Sequence, residues 1–239
     1  MSPISAVLAV LVTALGSALQ GAVGFGLGPL GAPLLLLIDP RLVPGPLLLA
    51  ALVLTLLMAR REWHGVRFRD LGWSIPGRVA GTVAAVLFLG AIAPDRLAAV
   101  VGALILVAVG LSATGLRLAL TPSSLLGAGA VSGFLATLTS IGGPPMGLLY
   151  QSERGDVVRG TLSAFFVVGI AFSVAGLWVA GRFGMTEIRL SILLLPGVVV
   201  GYALSGPAAR LLDRGWLRPA ILATSAIAAV LVVVKYLVR

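Results

Sequence analysis

Two short clusters of glycine and proline interrupt the most apolar stretches of this 239-residue chain. The first reads "GFGLGPLGAP" from Gly24 and carries Gly26, Gly28 and Pro29. The second reads "SIGGPPMGLLYQS" from Ser140 and carries Gly142, Gly143 and Pro144. Neither contains an acid, a base or a metal ligand, so what they offer is backbone. Glycine lets an anion come close to peptide N–H groups, and proline fits the first turn of a helix, where an N–H has no intrahelical partner. A helix that starts there presents free N–H donors and the positive end of its dipole. The chemistry such a pattern can do is to hold a small anion. Thr137, Thr139 and Ser140 place hydroxyls beside the second cluster, and Thr161 supplies one across the groove.

The charged residues narrow the choice. All eight acids (Asp39, Glu62, Asp70, Asp95, Glu153, Asp156, Glu187 and Asp213) fall in loops or at helix ends. A proton relay on an intramembrane carboxylate and a cation-selective site therefore have no support, whereas an anion site needs no carboxylate. Arg78 is the one basic residue well inside an apolar segment. It either snorkels to the head groups or draws an anion into an inward-facing cavity. Arg159 either attracts anions at the cytoplasmic mouth or anchors its helix there. His64, the only histidine, sits beside Trp63 in a basic loop and reads as interfacial. With no cysteine and no His/Asp/Glu cluster, neither a metal site nor any cofactor is expected. Ser and Thr without a nearby base leave an enzyme unsupported, and no phosphate-binding loop is present for ATP-driven transport.

The elements that must position these residues are membrane helices. Hydrophobic residues make up 59% of the chain and charged ones 10%, and mean hydropathy is +1.12. Soluble domains carry roughly 25% charged residues, so this chain cannot clothe a water-facing surface. The net charge of +9 reflects basic loops rather than nucleic-acid binding. The N-terminal segment lacks early positive charge and reads as a retained span. Apolar segments cover 3–22, 28–38, 43–59, 71–92, 97–116, 122–140, 143–150, 158–180, 188–208 and 217–237. Segments 28–38 and 143–150 are too short to cross and follow the two clusters directly, so they read as returning half-helices. Loop 60–70, with Arg60, Arg61, Arg67 and Arg69, is the most basic and is expected in the cytoplasm. Trp73, Trp178 and Trp216 read as interfacial anchors. Gln20 and Gln151 flank the breaks and are expected to satisfy loosened backbone.

The chain also repeats. Gly28-Pro29 aligns with Gly143-Pro144, and "IPGRVAG" (75–81) aligns with "LPGVVVG" (195–201). Three crossings per half would invert the second copy. The expected fold is all-α, a polytopic membrane protein of two inverted-topology repeats, residues 1–119 and 120–239. Each repeat has a broken or re-entrant first helix plus three spanning helices.

On "QGAVGFGLGPLGAPLLLLI" and "GFLATLTSIGGPPMGLLYQSERGDVVRGTLSAFFVV", the chain resembles the sulfite exporter TauE/SafE family of membrane permeases. The run "RGTLSAFF" from Arg159 to Phe166 is also similar to that family, whereas Leu27 stands where a further glycine is common. The resemblance implies transport of sulfite, organosulfonates or related organic anions across the cell membrane. The expected partners are a small anionic substrate and the lipid bilayer. A coupling ion, proton or sodium, and a homodimer are compatible with the plan. An anion channel, or an uptake permease for small carboxylates, is the alternative.

Overall fold

The computed structural model describes residues 1–92, 97–114, 116, 118–212, 230 and 234. The last apolar segment, 217–237, lies outside the described residues except for Val230 and Val234. So do Asp95, Arg96, Arg117, Asp213, Arg214, Trp216, Arg218, Lys235 and Arg239. Among the described residues every regular element is helical. The helices are α1 Pro3–Val23, α2 Ala32–Ile38, α3 Gly45–Arg61, α4 Phe68–Ala91, α5 Leu97–Ala113, α6 Pro122–Thr139, α7 Gly143–Leu149, α8 Gly155–Val179 and α9 Met185–Leu212. A π-helical turn, Leu27–Gly31, leads into α2.

Four stretches are long and apolar enough to cross a bilayer on those criteria alone: α1, α4, α8 and residues 185–206 of α9. At about 1.5 Å per residue, α3 and α6 reach roughly 25–27 Å, just under a ~30 Å hydrocarbon core. The seven-residue α7 covers only about 10 Å and cannot cross. The same holds for the stretch Leu27–Ile38, at about 18 Å.

Local sequence sets the ends of the broken helices. Ser2 caps α1 by accepting from the Ser5 N–H, with Pro3 in the first turn. The helix stops at Gly24, whose φ of 105° suits glycine and few other residues. Thr121 and Ser124 form a reciprocal cap at the start of α6, with Pro122 in the first turn. That helix ends at Ser140, with φ 63°, a left-handed conformation that is uncommon outside glycine.

Close approach explains the tightest packing. α4 lies along α6, and α1 lies along α9. A Cβ on Gly77 or Gly81 would run into the carbonyl oxygens of Leu126 and Ala130 on α6. A Cβ on Gly197 or Gly201 would run into those of Val10 and Ala14 on α1. The aligned heptapeptides thus do the same work twice, holding helices at backbone contact. The first helix of each half packs against the fourth helix of the other, while α3 and α8 meet at the centre. Outside, Ile4, Val7, Leu8, Leu11 and Leu15 expose one apolar stripe of α1, as a lipid-facing surface requires.

Candidate functional site

The two breaks meet. A Cβ at Gly28 would strike the Ser140 carbonyl, and one at Gly143 would lie 2.7 Å from the Phe25 Cβ. Between them lies an internal cavity of about 30 Å³, room for about one or two waters. Its lining includes Gly26, Gly28, Pro29, Ser140, Gly142 and Gly143 from the breaks, Gln20 and Thr55 from α1 and α3, and Arg78 from α4. Four other residues singled out in the sequence lie elsewhere. Thr139 is turned into its own helix end: its hydroxyl donates to the Leu135 carbonyl and accepts from the Ile141 N–H. Pro144 is buried beside the cavity without lining it. Thr161 is buried at the far end of α8, where its hydroxyl accepts from the Arg67 N–H. Arg159 donates from Nε to Glu62 Oε1 at 2.9 Å, so its charge is held in an ion pair rather than offered at an open mouth.

Arg78 does not snorkel. It is 0% exposed, and its guanidinium turns toward α6 and α8 instead of a head-group region. Nη1 donates to the Ser132 carbonyl at 2.8 Å and to its hydroxyl at 3.0 Å, and Nη2 donates to the Ser173 hydroxyl at 3.2 Å. The Phe165 ring lies under it at 5.6 Å, a favourable cation–π distance. Among the described residues no carboxylate pairs with it, and Nε has no hydrogen-bond partner. Burying a charge without a counter-charge is costly even after hydrogen bonding. Arg78 thus brings a buried guanidinium, a planar donor fork that suits oxyanions, to the cavity lining.

At the first break the Leu27 N–H is taken by Gln20 Oε1 at 3.2 Å, and at the second Pro144 and Pro145, in the first turn of α7, have no N–H. Arg78 adds a side-chain positive charge to the backbone groups of the breaks. Gln20 thus satisfies loosened backbone as expected, and Gln151 does so at α7 by donating from Nε2 to the Leu116 and Leu148 carbonyls.

Sequence reading missed Ser132 and Ser173. The Ser132 hydroxyl accepts from Arg78 and donates to the Gly142 carbonyl at 2.6 Å, so it ties the charge to the second break. Ser173 shares a hydrogen bond with Thr137 at 2.8 Å, and the Thr137 hydroxyl also donates to Thr82. A usable signal was the small face of α6, where Gly129, Ser132, Gly133 and Ala136 recur at helical spacing against Arg78-bearing α4.

Thr137 opens on a second cavity, of about 530 Å³, around the starts of α3 and α9. Arg41, Arg182 and Glu187 line it. Hydrogen bonding to Arg41 holds the neighbouring Asp39 carboxyl below its usual pKa.

A model of the sulfite exporter TauE/SafE family matches residues 8–232. The chain belongs to that family. No curated protein and no solved structure matches it. Both TauE/SafE motifs quoted from the sequence lie inside the matched region, and the second contains Ser132 and Ser140 to Gly143. As a TauE/SafE member with four membrane-competent helices, the chain is a multi-pass membrane protein of a transporter family.

Proposed function

We propose that the chain is a secondary transporter of small anions, sulfite and organosulfonates among them, which binds its substrate at midplane in the cavity between the two breaks. Arg78 carries this reading: a fully buried guanidinium with no described carboxylate partner, lining a cavity with Gly28, Ser140 and Gly143. A bound anion supplies the missing counter-charge. Ser132 and Ser173 hold the guanidinium in place, and the glycines let the two breaks close on Ser140 and Phe25 around the cavity. Family membership supports sulfur oxyanions as the class. Reciprocal packing of α1 with α9 and of α6 with α4 supports two inverted repeats, because each pair matches the other under the sequence alignment.

Thermal unfolding of the purified protein tests the reading. A ligand at 100 times its Kd adds about 2.7 kcal/mol of stability, enough to read as a rise in Tm. Sulfite or a small sulfonate should raise Tm, and Arg78→Met should abolish the rise. Stabilisation by simple carboxylates alone would overturn the sulfur assignment and leave an anion site. No response to any small anion would overturn the site itself. Saturable counterflow in proteoliposomes, rather than unitary currents, is the expected mode.

A further inference from the structure

We propose that the molecule moves as two bodies that do not coincide with its repeats, and that the Glu62–Arg159 ion pair is the gate between them at the end carrying loop 60–70. One body is α1 to α3 together with α9. The other is the continuous stretch from α4 to α8.

Within the first body, α1 and α9 are in backbone contact. Arg61, at the end of α3, fastens both: it donates to the Gly21 carbonyl at 2.7 Å and the Ser205 hydroxyl at 2.9 Å, and lies 5.1 Å over the Tyr202 ring. Within the second, α4 and α6 are in backbone contact, and Arg78 joins α4 to α6 and α8. Arg67 and Asp70, at the start of α4, bind Glu153 and the Tyr150 hydroxyl, beside α7.

Between the bodies the polar links are few. The main face is α3 against α8. At one end Glu62 Oε1 accepts from Arg159 Nε at 2.9 Å. At the other the bodies part around the 530 Å³ cavity, with Pro44, Gly45 and Glu187 from the first and Leu89, Thr137 and Leu177 from the second. Ser140, which lines the central cavity, donates from Oγ at 3.0 Å to the carbonyl of Pro44, which lines the outer one. Among the described residues the chain passes from one body to the other at 62–67 and 180–184. The ion pair thus ties the bodies at the loop 60–70 end, and the larger cavity lies at the opposite end.

Glu62 suits a gate. Its Oε1 also accepts from Arg61 Nε at 3.2 Å, so when Arg159 withdraws the carboxylate keeps a partner in its own body. A part-exposed ion pair is weak enough to break in every cycle.

The inference rests on the carrier reading, but its test needs no substrate, so the two can fail separately. The chain has no cysteine, so single reporters can be placed without a background. Thr186→Cys reports the end with the larger cavity, and Thr55→Cys, in the central cavity, reports opening at the loop 60–70 end. In lipid nanodiscs a water-soluble maleimide reaches both faces. Glu62→Gln should speed labelling of Thr55→Cys at least five-fold and slow that of Thr186→Cys. Exchanging the charges, Glu62→Arg with Arg159→Glu, should restore both rates. Unchanged rates would overturn the gate. So would a rise at both reporters, which would make the pair a mere support of the fold.

Discussion

A guanidinium buried without a carboxylate is a liability to the fold, and that separates stability from function at Arg78. Removing a member of a buried ion pair strands the other charge, but here there is no other charge to strand. Arg78→Met is therefore expected to keep or raise Tm in the absence of anions while lowering transport at least 100-fold, as scanning calorimetry and flux assays on one preparation would show. Arg78→Lys should not rescue, because an ammonium cannot repeat the fork that grips Ser132 and Ser173. A hydrogen bond to a charged group contributes about 1.5–3 kcal/mol. Ser132→Ala should accordingly weaken apparent substrate affinity by about 10- to 100-fold, seen as a higher KM. Little of this was legible beforehand. An arginine two turns inside a helix can reach a head group or a core, and only neighbours distant in sequence decide which. Ser132 and Ser173 lie 54 and 95 residues from Arg78.

At the scale of elements the sequence said more. Segment boundaries, the two half-helices and the caps at Gln20 and Gln151 follow from local composition and backbone accounting, and the structure has them within a few residues. The glycine heptapeptides stood out in the sequence only as an aligned pair; their close contact with α6 and α1 needs the structure, because a glycine does not say which backbone approaches it. Overpacking costs typically 1–3 kcal/mol. Gly81→Val and Gly201→Val should each destabilise by about that much, by forcing α4 from α6 and α9 from α1. A matched loss at both positions in denaturation midpoints would support the repeat. Gly143→Leu meets the Phe25 ring instead. It should abolish transport while the protein still elutes as a folded species; transport at the unsubstituted rate would remove the second break from the site.

For the whole molecule, the repeat alignment proposes a division at residue 119 that the packing does not follow. Each half sends its fourth helix to the other's first, so neither half holds a complete set of contacts. Fragments 1–119 and 120–239 expressed singly should be protease-sensitive, and co-expression should restore resistance. Resistance of either fragment alone would count against interlocking.

The same interlocking sets an order of birth. The stretch from α4 to α8 can close on itself as soon as it is made, but the small-residue face of α1 with Thr13, Ala14, Ser17 and Gly21 has no mate until α9 arrives. From the end of α3 to the start of α9 the ribosome adds 124 residues (185 − 61). At roughly 10 residues per second that is an interval on the order of ten seconds. During that time the α9-facing side of α1 is left toward lipid or a chaperone. The vulnerable moment in making this protein falls near its last helices, and truncations that spare every residue of the central cavity are expected to be cleared by quality control all the same.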